Sequence, residues 1–113
     1  MRMRVISIAK KLTVAANATD TTNIYTVPPA QVFTLKRVIF HFPVGAEFNV
    51  GLAIRKGIKN VCPDEGLVYG DGGVIELTDD TKFVSGEPVS VHYENSDATN
   101  AYNVVVVVEG ELE

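Results

Sequence analysis

The sequence predicts an all-β fold: a single-domain antiparallel β-sandwich, jelly-roll-like, with about eight or nine strands across residues 1–113. Three observations predict it. Valine, threonine and aromatic residues hold most of the apolar positions, and such side chains suit a pleated, half-buried surface. Clusters of Gly, Pro, Asn and Asp punctuate the chain at short intervals, which is the spacing of turns between short strands. Helix signals are nearly absent, whereas several segments alternate apolar and polar residues with a period of two.

The strands read, in order, Arg4–Ile8, Leu12–Ala16, Asn23–Val27, Val32–Phe42, Phe48–Lys56, Val74–Thr78, Lys82–Val84, Val89–Glu94 and Tyr102–Glu109. In the fifth, Phe48, Val50, Leu52 and Ile54 fall on one face, which is assigned to the core. Glu47, Asn49, Gly51 and Arg55 fall on the other. The fourth strand changes phase. Phe33 and Leu35 share a face with Val38, Phe40 and Phe42 only if an extra residue is inserted near Lys36-Arg37. A β-bulge is the simplest way to insert it; the alternative is a strand buried on both faces.

Two connections stand out. Gly57–Gly73 holds five of the nine glycines, and a connection this long in a compact domain is usually functional or partly structured. Asp64, Glu65, Tyr69 and Asp71 are its candidate contact residues. Asn95–Ala101 is a polar hairpin tip between two strong strands, and it adds Asn95 and Asp97.

A chain of 113 residues buries most of its apolar surface without disulfide staples. The lone cysteine, Cys62, cannot bridge internally and reads as a small semi-buried apolar residue rather than a nucleophile. The formal charge of -4 and a pI near 5.1 argue against a nucleic-acid partner, because phosphate-binding surfaces gather basic residues. The opening stretch MRMRVISIAKKLTVAANA mimics a secretory signal, but Lys10 and Lys11 interrupt the apolar core such a leader needs. It is read as mature protein. No run approaches the roughly 18 apolar residues of a membrane span, so no membrane partner is expected.

Catalytic signatures are missing from the sequence. His41 and His92 sit in separate predicted strands, and no His-x-His, Cys-x-x-Cys or His-Glu-x-x-His spacing gathers three ligands for zinc. Neither a metal nor a cofactor is predicted. Asp71 to Gly73 and Thr78 to Thr81 lack the spacing of a calcium loop and read as tight turns, where Asp closes an Asx-turn and Gly accepts positive φ. No G-x-S-x-G surrounds a serine. Asn17-Ala18-Thr19 matches a glycosylation acceptor, a short pattern that also arises by chance. A carbohydrate-binding module is the alternative class, yet the chain has no tryptophan. Its tyrosines, Tyr25, Tyr69, Tyr93 and Tyr102, are scattered, the last two in core-facing phases. A cupin-type enzyme is the remaining class, weakened by the lack of a metal-binding pair.

Two passages resemble a known group. YTVPPAQVFTLKRVIFHFP, Tyr25 to Pro43, resembles the opening of small jelly-roll domains of phage and virus-like particles: a threonine-rich lead, a proline turn and a long strand. VSGEPVSVHYENSDATNAYNVVVVVEGELE, Val84 to Glu113, is similar to their closing hairpin, with Gly86, Gly110 and Glu111 at the matching positions. Glu87-Pro88 departs from the pattern, where Asp and a β-branched residue are usual. The resemblance implies a non-enzymatic structural role as a capsid decoration, tail or attachment component. Similar trimeric jelly rolls occur in the tumour-necrosis-factor and complement-like group, which implies a homo-oligomer, a trimer foremost, with a capsid or tail protein as further partner. It places the protein in a virion, or in the cytoplasm if the source is not viral.

The terminal NVVVVVEGELE frames the candidate interface. Val104, Val106 and Val108 form a core row with Tyr102, while Asn103, Val105, Val107 and Glu109 form the opposite row. Burying each valine of that row is worth on the order of 1.5 to 3 kcal/mol, so a cover is expected: the chain's own N-terminal segment or a neighbouring subunit. Glu109, Glu111 and Glu113 read as gatekeepers against strand addition.

Overall fold

The computed structural model describes residues 3–113. Ten strands run in the order β1 (Arg4–Val14), β2 (Thr19–Thr26), β3 (Val32–His41), β4 (Val50–Lys56), β5 (Lys59–Cys62), β6 (Val68–Tyr69), β7 (Val74–Thr78), β8 (Lys82–Val84), β9 (Pro88–Asn95) and β10 (Tyr102–Leu112). They form two five-stranded sheets, one ordered β1-β10-β3-β7 with β8 also on β3, the other β2-β9-β4-β5 with β6 also on β4. All the pairings are antiparallel. The pairs β1–β10, β2–β9, β3 with β7 and β8, and β4 with β5 and β6 describe one long hairpin folded at the β4–β5 turn and rolled into two sheets. That is jelly-roll topology.

The inner faces meet in one core, with Phe33, Leu35, Val38 and Phe40 of β3 facing Leu52, Ile54, Val89 and Val91 of the other sheet, all fully buried. Val104, Val106 and Val108 of β10 join them at 0% exposure. The phase change in β3 is a bulge: Glu109 pairs with Arg37 but Gly110 with Leu35, so Lys36 is the extra residue. Phe33 and Leu35 thereby face the core together with Val38 and Phe40. Gly110 is required at this point, because a Cβ there would collide with the Thr34 carbonyl oxygen and stand 2.7 Å from the Phe33 ring.

Several expectations are corrected. The two N-terminal strands are one, β1, running through Lys10 and Lys11. Lys10 lies on the inward row with Ile6, Ile8 and Leu12, yet it stays exposed because β1 is an edge strand and the long side chain reaches water past the rim. Phe48 is not core. It is 64% exposed and, with Glu47, adopts left-handed φ values of 59° and 50°, so the period-two phase begins only at Val50. The Gly57–Gly73 connection contains β5 and β6, which border β4 in succession and raise the strand count to ten.

Candidate assembly surface

Strand β10 lies inside its sheet, bordered by β1 and β3 through Leu112. Register then dictates which side chains share its outer face. Val105 lies between Lys11 and His41, Val107 between Ala9 and Ile39, and Glu109 between Ser7 and Arg37. Strand β7 extends these rows with Val74, Glu76 and Thr78. The four residues expected to form an interface therefore share one face, and topology adds Val5, Ala9, Ile39 and Val74, which the sequence reading missed. Only the pairing partners of β10 could have revealed them.

Of the two covers considered, the N-terminal segment is not one among the described residues: Arg4–Val14 lies beside β10 as β1, in the plane of the sheet. Val105, Val107 and Ile39 are half-buried by in-plane neighbours, while Val5 and Val74 are 81% and 56% exposed. Nor do the glutamates guard a free edge, because β10 is paired on both sides. Glu109 instead accepts hydrogen bonds from Arg37 Nε at 2.6 Å and Ser7 Oγ at 3.3 Å, and Arg37 also reaches Glu76 at 3.2 Å. The Arg37 hydrogen bond holds the Glu109 carboxyl below its ordinary range. Thr13 Oγ1 donates to Asn103 Oδ1 at 2.7 Å. An apolar stripe is thus flanked by satisfied polar groups.

The contact-loop candidates are scattered. Asp64 and Glu65 are exposed after the cis Cys62–Pro63 bond, and Asp64 lines a cleft of about 570 Å³ between β5 and the β7–β8 turn with Lys56, Lys59 and Asp79. Burial, then Asp79 and Asp64, pushes the Cys62 thiol in that wall up to about 12. It is a packed thiol with little thiolate to react. Asp71 is exposed and accepts from the Gly45 N–H at 3.0 Å. Asn95, expected as a contact residue, is corrected: it is 4% exposed, and its amide donates to the carbonyls of Ala15 and Asn100 at 3.2 and 2.9 Å. Its short amide is what ties the hairpin tip to the end of β1. Asp97 is committed to the same turn, accepting from the N–H groups of Thr99 and Asn100 and, at 2.6 Å, from the Tyr102 hydroxyl. Those bonds, led by Tyr102, hold its carboxyl far below the usual range. Tyr69, 46% exposed, sits in a second cleft on the outer face of the β2-β9-β4 sheet, whose lining also includes the buried Asn95.

No family model matches the sequence, and no curated protein matches it. Solved structures do share its fold, and they are mainly capsid proteins of phages and viruses. A chain of the acid-stable capsid of Helicobacter pylori bacteriophage KHP30 is 12% identical with a TM-score of 0.55, and 99% of each chain is covered. A chain of Sulfolobus Turreted Icosahedral Virus is 10% identical with a TM-score of 0.61; the match takes in 99% of this chain but 31% of the viral one. The fold also extends beyond viruses, to the disulfide-linked pili of Bacillus endospore appendages, at 13% identity and a TM-score of 0.53 over 96% of this chain and 87% of that one. Among the described residues no group of three or more His, Cys, Asp or Glu side chains could hold a metal ion. No helix there is long and apolar enough to cross a membrane.

Proposed function

We propose that this protein is a non-enzymatic structural component of a virion or virus-like particle, a capsid decoration, tail or attachment protein that assembles as a homo-oligomer. The observation that carries this reading is the stripe of Ala9, Val107, Ile39 and Val105, with Val74 diagonal to Ile39, on the outer face of an interior strand and its neighbours; Val5 lies on the same face beyond the Ser7–Glu109–Arg37 row. Exposed contiguous apolar patches rimmed by polar residues mark interaction sites. The jelly-roll architecture supports the same reading, since it recurs in the capsid chains above. A second copy, in a trimer foremost, covers the stripe, and a capsid or tail protein is the further partner.

Light scattering after size-exclusion chromatography tests assembly: a mass that is a multiple of 12.2 kDa is expected at micromolar concentration. Replacing both Val105 and Val107 with serine is expected to yield folded monomers. A monomeric parent, or a double variant that assembles unchanged, removes this face from the account.

A further inference from the structure

The outer face of the other sheet carries different chemistry. Register places Thr19 opposite Glu94, Glu94 opposite Gly51 and Gly51 opposite Tyr69, so a hydroxyl, a carboxylate, a bare glycine and a phenol run in one row across four strands. Because Gly51 lacks a side chain, the Tyr69 ring settles over its backbone; a Cβ there would stand 2.6 Å from Tyr69 Cε2 and 2.9 Å from Leu67 Cδ1. An aromatic leaning over a cross-strand glycine is a known device for stabilising that position. Here it also holds the ring over the sheet with 46% of the residue still exposed.

Around this plate lies a cleft of about 320 Å³ whose walls include Asn17, Thr19, Asn49, Glu94 and Ser96. Part of its polar lining is open to a ligand, while Ser96 Oγ already donates to Asn49 Oδ1 at 3.0 Å. Among the described residues, no hydrogen bond takes up the side chains of Asn17 or Thr19 or the Tyr69 hydroxyl, and Glu94 has His92 Nε2 as a neighbour at 3.9 Å. The Phe48 N–H donates to the Gly70 carbonyl at 3.2 Å, next to Tyr69, and Phe48 is exposed because its φ of 59° turns it out of the strand. Left-handed φ is rare for a bulky side chain.

We infer that this cleft is a carbohydrate site taking a neutral pyranose. Such a sugar has an apolar C–H face and a rim of hydroxyls. The face matches the fixed Tyr69 ring, since a flat apolar surface stacks well on an aromatic plate. The hydroxyls match a carboxylate that only accepts, an amide that does both and a threonine hydroxyl that does both. The cleft is at the small end of the range for ligand pockets, about 300 to 1,000 Å³, which limits the contact to one or two sugar rings. Glu94 and the net charge of -4 disfavour acidic sugars. The site lies on the sheet opposite the proposed assembly face and does not depend on it.

The test uses the isotope-labelled chain of residues 1–113, titrated with methyl glycosides of glucose, galactose, mannose, N-acetylglucosamine and N-acetylneuraminic acid while amide resonances are followed. At least one neutral glycoside is expected to give saturable shifts at Thr19, Tyr69 and Glu94, with the acidic one weaker. Tyr69→Ala is expected to weaken binding about tenfold, through the lost stacking surface. Glu94→Gln, an exposed isosteric change that leaves packing intact, is expected to weaken it by a similar factor. Lys59→Ala, in the other cleft, leaves it unchanged. If no neutral glycoside saturates, if the shifts cluster elsewhere, or if Glu94→Gln binds as the parent does, the site is not a carbohydrate site.

Discussion

On the outer face of the β2-β9-β4 sheet, Gly51 and Ala53 are buried, and Leu67 and Tyr69 lean over Gly51 from the neighbouring β6 edge. On the outer face of the β1-β10-β3 sheet, Val105, Val107 and Ile39 are half-buried beside their strand neighbours, and Val5 and Val74 remain largely exposed. The long Gly57–Gly73 connection makes the difference on the first sheet, since it brings Leu67 and Tyr69 over Gly51. A chain that covers small residues on one side while leaving valines on the other has an unequal surface. On the two readings proposed above, the covered side is the shelf for a small ligand and the open side is the face that meets a second copy. Covering Val5 and Val74 gains on the order of 1 kcal/mol each, a useful part of an interface.

The largest expected effect comes from undoing the covered side. Gly51→Val sets methyl groups where the Tyr69 ring lies, and overpacking of this kind typically costs about 1 to 3 kcal/mol. The upper end is expected here, because the ring and Leu67 must both be displaced from the β6 edge. A lowered urea midpoint together with increased Tyr69 solvent exposure checks it; an unchanged midpoint means that the cover contributes little.

On the open side, Val105→Ser with Val107→Ser is expected to cost the isolated subunit less, about 1 kcal/mol per site through lost cross-strand contacts. If the pair costs more than Gly51→Val under monomeric conditions, the open face is a second core and the contrast between the sheets collapses.

How far this contrast could be read from sequence depends on the residue. The core row of β4 from Val50 and the bulge at Lys36 were legible, because period-two alternation and its break are local signals. The shared row of Asn103, Val105, Val107 and Glu109 was legible for the same reason. What lay beside that row was not: Ala9, Ile39 and Val74 are brought there by pairings across more than thirty positions of chain. Local pattern also misled at Phe48, where two consecutive left-handed residues end the alternation, and at Asn95, whose polarity looked like a surface tip but satisfies carbonyls at a buried turn. The Tyr69 shelf needed the Gly51 pairing, and Gly51 alone read as one more outward position.

A smaller effect is expected from the polar rim of the open face. Arg37 and Glu109 have side-chain exposures of 43% and 28%, so water screens the pair and it contributes little to stability. Glu109→Gln is expected to lower the urea midpoint slightly, and the loss should shrink in high salt. A loss as large as that of Gly51→Val would make the rim part of the framework rather than a border to the stripe.

The finest distinction is one of pH. His92 lies on the covered side with its side chain 12% exposed; desolvation by burial, then Arg55, lowers its pKa from the ordinary value, with Glu94 and Asp20 opposing. Since the unfolded chain has the higher His92 pKa, it binds the proton first as pH falls below about 6.5. The stability contributed by neutral His92 is therefore present at higher pH and is lost as pH falls from the unfolded towards the folded value. On the open side Glu109 is depressed instead, so its contribution persists through the same interval and is lost only at more acid pH. Urea midpoints at pH 7 and pH 5 should fall less in His92→Gln than in the parent, while Glu109→Gln should leave the interval's slope unchanged. An equal fall in His92→Gln and parent would mean that the histidine is as well hydrated in the fold as in the unfolded chain, and that the covered side is wetter than its packing implies.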